Sequence, residues 1–150
     1  MIQGRRVIRL QLPSLFDMLD FVQLVSDHIG QDVGFDEDSI HWVGVAVRES
    51  VINAIKHGNR GDDQKLVTVE FALVPGSGST DLVILVRDQG EGFEPDTVAD
   101  PLAPENLLKS SGRGIFFMRS FMDEVDWYPA AEGGMEVRMV KRLPVAQPGA

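Results

Sequence analysis

Two long apolar segments separated by a short turn are the feature that most constrains how this chain can fold. Residues 66–74 (LVTVEFALV) and 82–87 (LVILVR) are rich in Val, Leu and Phe and have the length of strands. Between them lies Pro75-Gly-Ser-Gly-Ser79, a composition typical of a hairpin loop. Because a hairpin pairs its strands antiparallel, we expect a sheet that is mainly antiparallel.

The segment before this hairpin predicts one strand and a first helix. Residues Val7–Leu12 alternate between apolar and polar side chains, and Pro13 is expected to end that strand. Ser14 then stands where a helix N-cap is expected, and Gly30 and Gly34 are expected to break the helix that follows. The apolar residues that recur at helical spacing in it are Leu15, Met18, Leu19, Val22 and Val25.

A second helix is predicted from the acidic run Asp36–Ser39, whose carboxylates suit the positive end of a helix dipole. We expect it to end near Gly58–Asn59. Most of its apolar stripe should lie in the core. That stripe consists of Ile40, Val43, Val47, Val51, Ala54 and Ile55.

The second half of the chain predicts a loop, a helix and another hairpin. Residues Glu94–Ser111 show no clear period, and a loop of that length in a compact domain is often a lid or a binding loop. A helix is expected at Ile115–Met122. Two strands near Glu124–Tyr128 and Met135–Leu143 are expected to be joined by a turn at Gly133-Gly134.

These elements predict an α+β fold. We expect a two-layer sandwich in which a mixed, mainly antiparallel sheet carries the helices on one face. The chain shows no repeat and no domain linker, so residues 1–143 are interpreted as a single domain and residues 144–150 as a flexible tail.

Composition narrows the classes of function. The chain has no cysteine, which excludes a disulfide scaffold and a thiolate metal site. No apolar run approaches the ~20 residues of a spanning helix, and no signal peptide is evident, so we expect a soluble, cytoplasmic protein. Asp and Glu outnumber Lys and Arg by 23 to 14, for a formal net charge of -9. This balance argues against direct nucleic-acid binding, which usually needs a basic face.

Three polar residues of the second predicted helix suggest a site. Glu49, Asn53 and His57 are spaced i, i+4 and i+8, so an α-helix would place them on one flank. Asn53 could offer a neutral oxygen to Mg²⁺, and Glu49 could polarise a hydroxyl nucleophile. The alternative is a solvated stripe, with His57 simply a favourable residue near the helix C-terminus.

Two glycine-rich segments suit a nucleotide. Asp88 ends a buried strand and is followed by Gly90 and Gly92, so backbone can approach a planar ligand while the carboxylate accepts from an exocyclic amine. Gly112-Arg113-Gly114 precedes a helix whose free N–H groups suit phosphate, and Arg113 adds a fork of donors. Simple turns would also account for either segment alone.

Taken in order, these segments resemble the GHKL ATPases and kinases, which share the Bergerat ATP-binding fold. Glu49-x-x-x-Asn53-Ala54 resembles the N box of that superfamily. Asp88-x-Gly90-x-Gly92 resembles the first glycine box, and Gly112-Arg113-Gly114 the second. The resemblance covers about residues 5–143. Within the superfamily the chain looks most like the small anti-sigma-factor serine/threonine kinases, on the segments NAIKHG (53–58) and GIFFMRSFMDE (114–124).

The resemblance implies ATP and Mg²⁺ as cofactors and a role for each matching residue. Asn53 would bind Mg²⁺, Asp88 would hold adenine, and Glu49 would be the catalytic base. The remaining residues expected to bind nucleotide are Lys56, His57, Gly90, Gly92, Gly112, Arg113 and Gly114. The chain lacks the P-loop and the His-Arg-Asp and Asp-Phe-Gly elements of ordinary protein kinases, so phosphate charge would be met by Mg²⁺ and these side chains.

By the same resemblance the substrate would be a STAS-type anti-sigma-factor antagonist, phosphorylated on Ser or Thr. A sigma factor would be a second partner, and the protein would act as a homodimer. Three alternatives remain open at this point: an ATP-binding domain of the histidine kinase type, a non-catalytic module that uses ATP to bind a partner, and a stress or developmental regulator whose partner lies outside the sigma system. None of His28, His41 and His57 lies in a convincing phosphoacceptor helix. This favours a serine/threonine kinase over a histidine kinase.

Overall fold

The computed structural model describes residues 6–75, 78–90, 118–130 and 133–144, and these form one antiparallel sheet with two long helices. The strands are β1 (Arg6–Pro13), β2 (Leu66–Pro75), β3 (Ser79–Arg87), β4 (Glu124–Pro129) and β5 (Met135–Pro144). The helices are α1 (Leu19–Val33), preceded by a 3₁₀ turn at Phe16–Met18, and α2 (Glu37–Asn53), continued by a π-helical turn at Ala54–Gly58. Residues 118–121 are also helical.

The five strands lie in the order β1-β2-β3-β5-β4. All four pairings between them are antiparallel. The described sheet therefore contains no parallel pair, whereas the sequence predicted a mixed, mainly antiparallel sheet. The hairpin between β2 and β3 is confirmed by the pairing of Val74 with Asp81 and of Pro75 with Thr80. Strands β4 and β5 form the second expected hairpin, in which Pro129 pairs with Met135.

Helix α1 begins later and ends later than the sequence predicts. Its N-cap residue is Met18, with no side-chain cap, so the prediction that Ser14 caps it was wrong. Gly30 does not break the helix either, because it lies inside α1, where a Cβ would come within 2.8 Å of Ile40 Cγ1. Gly30 therefore allows α1 to approach α2 closely. The helix ends at Gly34, which has a φ of 89° and adopts the left-handed conformation that favours glycine.

Helix α2 starts where the acidic run predicts. The Asp36 carboxylate accepts a hydrogen bond from the Ser39 backbone N–H at 2.7 Å, and this bond lowers the pKa of Asp36. The α-helix ends at Asn53, and the chain continues as a π-helical turn in which the Asn59 N–H donates to the Ala54 carbonyl at 2.7 Å. The expected end near Gly58 is confirmed.

The core lies between the helices and one face of the sheet. Ile84 on β3 and Val51 on α2 have no exposed surface, and both belong to one cluster with residues of α1, β2 and β5. A smaller apolar cluster of Ala72, Val83 and Val140 belongs to the opposite set of sheet side chains. This confirms the α+β class expected from the sequence.

Several expectations lie outside the described residues. They concern the loop at Glu94–Ser111, the first turn of the helix expected at Ile115–Met122, and residues 145–150 of the tail. No helix in the described part of the chain combines the length and apolar character needed to cross a membrane.

Candidate functional site

Asp88 directly follows β3 and is the centre of the candidate site. It is only 6% exposed. Its backbone N–H donates to the Met135 carbonyl at 3.0 Å, which extends the β3–β5 ladder by one bond. Its carboxylate oxygen Oδ1 accepts from the backbone N–H of Gly90 at 2.9 Å and from that of Met135 at 3.1 Å. One oxygen of the carboxylate is therefore held by two backbone donors.

The second carboxylate oxygen of Asp88 differs from the first in its hydrogen bonding. Within the described part of the chain, Oδ2 accepts no hydrogen bond from protein. Burial raises the pKa of Asp88, and the two backbone donors and the positive charge of Lys65 offset only part of that effect. A desolvated carboxylate oxygen with no protein donor is suited to accept a hydrogen bond from an amine group of a ligand.

Three glycines surround Asp88 because nothing larger fits. A Cβ on Gly58 would come within 2.8 Å of the Asp88 Cβ, and one on Gly134 within 2.7 Å of Oδ1. A Cβ on Gly90 would lie 2.7 Å from the carbonyl carbon of Gly58. Gly134 also has a φ of 79°. The sequence suggested only a helix end at Gly58 and a turn at Gly134, so their part in the site was missed.

Helix α2 carries two of the predicted residues, and the turn that follows it reaches Asp88. Glu49 and Asn53 are one α-helical turn apart and both are partly buried, and the turn that follows them brings Gly58 against Asp88. His57 and Lys56 are exposed and lie in the π-helical turn. The i, i+4 rule applies only within an α-helix. A shared flank is therefore confirmed for Glu49 and Asn53, but it does not extend to His57.

A buried amide joins this helix end to the turn after Asp88. Asn59 is 1% exposed, and its Oδ1 accepts from the backbone N–H of Gln89 at 2.7 Å. Its Nδ2 donates to Ser14 Oγ at 2.8 Å and to the Leu66 carbonyl at 3.1 Å. The Ser14 hydroxyl in turn donates to the Lys65 carbonyl at 2.6 Å. Sequence reasoning missed Asn59, since nothing in an Asn after a helix end distinguishes a buried network from an ordinary cap.

Comparison with known proteins identifies the family. The family model for the histidine kinase-like ATPase domain matches residues 13–141. The chain belongs to this family. Among curated relatives, Serine-protein kinase RsbW of Listeria monocytogenes serotype 4a (strain HCC23) is 28% identical over 142 residues, covering 91% of this chain and 87% of that protein. Serine-protein kinase RsbW of Staphylococcus epidermidis is 27% identical over 143 residues, covering 91% and 86%. The resemblance to GHKL ATPases and anti-sigma-factor kinases is confirmed.

Two residues that follow Gly112-Arg113-Gly114 in this ATPase domain, Met118 and Phe121, pack against α2. Phe121 stacks on Trp42, with ring centroids 4.0 Å apart and planes 8° from parallel. Met118 is fully buried, and its sulfur lies 3.0 Å from Ser50 Oγ. Because Ser50 is the neighbour of Glu49, the chain that follows Gly114 is tied to the same turn of α2 that carries the candidate base.

The side chains of the ATPase domain fit a magnesium ion that arrives with nucleotide. The described residues contain no group of three or more His, Asp or Glu that could hold a metal ion by themselves. Mg²⁺ is usually bound by one or two protein oxygens together with waters and substrate phosphates. The partly buried amide of Asn53 suits that arrangement. Gly92, Gly112, Arg113 and Gly114 lie outside the described residues, and their roles stay predictions.

Proposed function

We propose that this protein is an ATP-dependent serine/threonine protein kinase that regulates transcription as an anti-sigma factor. The observation that carries the proposal is the meeting of two elements: the π-helical turn that directly follows Asn53 brings Gly58 against the buried carboxylate of Asp88. Membership of the ATPase family and the similarity to relatives named serine-protein kinase support the same reading.

Each half of the site would meet one part of ATP. Asp88 Oδ2 would accept a hydrogen bond from the exocyclic amine of adenine, on the turn that Gly90 and Gly92 shape. Asn53 would hold Mg²⁺, which when bound neutralises phosphate charge. Phosphate would also be met by Gly112, Arg113 and Gly114, with Lys56 and His57 exposed at the end of α2.

Glu49 would act on the protein substrate. A carboxylate one turn before Asn53 can orient or deprotonate a Ser or Thr hydroxyl for attack on the terminal phosphate. Phosphoryl transfer depends mainly on positioning and charge neutralisation. Glu49 would therefore be the one side chain needed to activate the hydroxyl, while Mg²⁺ neutralises the phosphates. We further propose that the substrate is a STAS-type antagonist, that a sigma factor is the second partner, and that the protein is a cytoplasmic homodimer.

Phosphorylation of a STAS partner tests the proposal. The protein is incubated with ATP, Mg²⁺ and candidate STAS proteins, and phosphoserine and phosphothreonine are located by mass spectrometry. Glu49→Gln should bind ATP within about twofold of the parent but slow transfer by about 10²–10⁴-fold, the usual contribution of a general base. Glu37→Gln, which changes an exposed acid at the start of the same helix, is the matched control and should leave the rate unchanged.

The outcomes separate the candidate functions. Transfer that is undiminished in Glu49→Gln would remove Glu49 as the base. ATP binding without transfer to any partner would instead favour a non-catalytic module that binds its partner in an ATP-dependent way.

A further inference from the structure

Asn59 is a buried polar residue that no proposed step uses, although its side chain makes several hydrogen bonds near the site. Its side chain makes three bonds, to the Gln89 N–H, to Ser14 Oγ and to the Leu66 carbonyl. A buried amide left without partners destabilises the folded state. Here both ends of the amide are satisfied, and each bond goes to a different segment of the chain.

The bond from Gln89 is the informative one. Gln89 directly follows Asp88, and its own side chain is exposed. Its backbone N–H donates to Asn59 Oδ1 at 2.7 Å. The same turn is held at Gly90, whose N–H donates to Asp88 Oδ1 at 2.9 Å. The Gln89 side chain adds a further bond, because its Oε1 accepts from the Leu66 backbone N–H at 2.7 Å. The backbone after Asp88 is thus held by Asp88 itself, by Asn59 and by the side chain of Gln89.

Asn59 is also bonded to the turn that directly follows α2. Its own backbone N–H closes the π-helical turn by donating to the Ala54 carbonyl at 2.7 Å. Ala54 directly follows Asn53. One residue therefore connects, by short bonds at both its backbone and its side chain, the helix that offers Asn53 and the turn that presents Asp88.

We propose that Asn59 is a positioning residue that sets the adenine-side turn relative to α2, so that a nucleotide can reach Asp88 and Asn53 together. The inference rests on the proposed function, in which Asp88 holds adenine. Asn59 itself does not contact the nucleotide. Its removal should release the Gln89 backbone, let the Asp88 carboxylate turn away, and weaken recognition of the base more than that of the phosphates.

Ser14 provides a matched control within the same network. Ser14 is 3% exposed, and it bonds both Asn59 and the Lys65 carbonyl. Ser14→Ala removes two hydrogen bonds but leaves the bond between Asn59 and Gln89 in place. It should therefore lower stability, as Asn59→Ala does, without disturbing the turn after Asp88.

The test measures affinity for ATP, GTP and inorganic tripolyphosphate, each with Mg²⁺, by calorimetry on the full chain. Each variant is studied well below its own melting temperature. Asn59→Ala should weaken ATP binding about tenfold, the effect of losing one hydrogen bond to a well-placed group. It should reduce the preference for ATP over GTP by a similar factor and change tripolyphosphate binding by less than about twofold. Ser14→Ala should leave all three affinities within about twofold of the parent.

The parent protein supplies a second measurement that needs no variant. Amide hydrogen exchange should show the Gln89 N–H protected before nucleotide is added, although its side chain is exposed, because Asn59 already holds it. Rapid exchange at Gln89 in the nucleotide-free parent would overturn the proposal, even if Asn59→Ala does not fold.

Failure of this inference differs from failure of the proposed function. If the parent binds ATP no better than GTP, the role of Asp88 in adenine recognition is wrong, and the inference is wrong with it. If the parent prefers ATP and Asn59→Ala keeps that preference, or if Ser14→Ala loses it equally, Asn59 has no specific positioning role and contributes only to stability.

Discussion

At the scale of the residue, Asp88 combines a cost to stability with its proposed role in binding a ligand. Its side chain is desolvated, which raises its pKa, while two backbone N–H groups hold only one of its oxygens. Gly58, Gly90 and Gly134 pack so closely around Asp88 that none of them has space for a side chain. The carboxylate therefore cannot move without displacing the backbone around it. An acid kept in such a place is expected to reduce stability while it serves binding.

Asp88→Asn should separate these two effects. A raised pKa means that the folded state disfavours the charged form of Asp88, which lowers the stability of the protein. This loss of stability is absent at a pH below the pKa in the unfolded state, for which 3.8 is the ordinary value. It is fully present at a pH above the pKa in the folded state. We therefore expect the variant to be at least as stable as the parent at pH 7. This advantage should shrink as the pH falls through the folded pKa.

Binding should change in the opposite direction. The amide would turn a donor toward the adenine amine, so ATP affinity should fall by about tenfold or more. Thermal melts between pH 4 and 7 and calorimetric titration with ATP measure the two quantities. Asp17→Asn, which changes an exposed acid in the 3₁₀ turn before α1, is the control and should change neither by much. A variant that loses stability at pH 7 and keeps its affinity would contradict the assignment.

At the scale of the element, α2 connects the core to the site. Its apolar stripe packs on the sheet, and it begins at a capped acidic turn. Beyond Asn53 it changes to a π-helical turn, which delivers Gly58 and Asn59 to the segment after β3. Turns of this kind are often found at functional sites because they shift the chain without ending the helix. The close approach of α1 at Gly30 fixes where α2 lies.

Gly30→Ala tests how much that close approach contributes. The added Cβ would meet Ile40 at 2.8 Å, so the two helices would have to separate or Ile40 would have to change its rotamer. Overpacking of this kind costs about 1–3 kcal/mol. The intrinsic preference of a helix for Ala over Gly opposes this cost by about 1 kcal/mol. We therefore expect a net loss of up to about 2 kcal/mol in the free energy of unfolding, measured by urea denaturation.

A second substitution shows whether the loss arises at the contact. Ile40→Ala in the Gly30→Ala background removes the atoms that the new methyl group meets, so the two changes should be less than additive. Additive losses would mean that Gly30 acts elsewhere.

At the scale of the whole molecule, stability should depend on the single core between the helices and one sheet face. Ile84 lies in that core with no exposed surface, whereas its neighbour Val83 belongs to the small cluster on the other face and is 9% exposed. Every long element except the edge strands supplies several residues to this core, so the helices and the sheet should unfold together.

Ile84→Ala and Val83→Ala compare the two faces directly. Ile84→Ala should lower the free energy of unfolding by about 2–5 kcal/mol, because it removes a large buried side chain and leaves a cavity. Val83→Ala removes less from a smaller cluster and should cost clearly less. Urea melts followed by far-ultraviolet circular dichroism and by tryptophan fluorescence should give coincident transitions. Equal losses in the two variants would show that both faces are buried to the same extent.

The sequence by itself determined the elements that depend on local pattern. Alternation and turn composition predicted both hairpins, the acidic run predicted the start of α2, and the spacing of Glu49 and Asn53 placed them on one flank. The ordered motifs also identified the family, since glycine and acid at set intervals reflect one ligand. These features are local because hydrogen bonds between near neighbours decide them.

Only the tertiary structure decided what joins those segments. Ser14 was predicted to cap a helix, yet its hydroxyl binds Asn59 and Lys65, which are 45 and 51 residues away. Gly58 and Gly134 are glycines because of the Asp88 side chain, and Gly30 because of Ile40. A spacing rule contains no information about such contacts, since they exist only when distant segments pack together, and this is why the sequence indicated Asp88 and Asn53 but not Asn59.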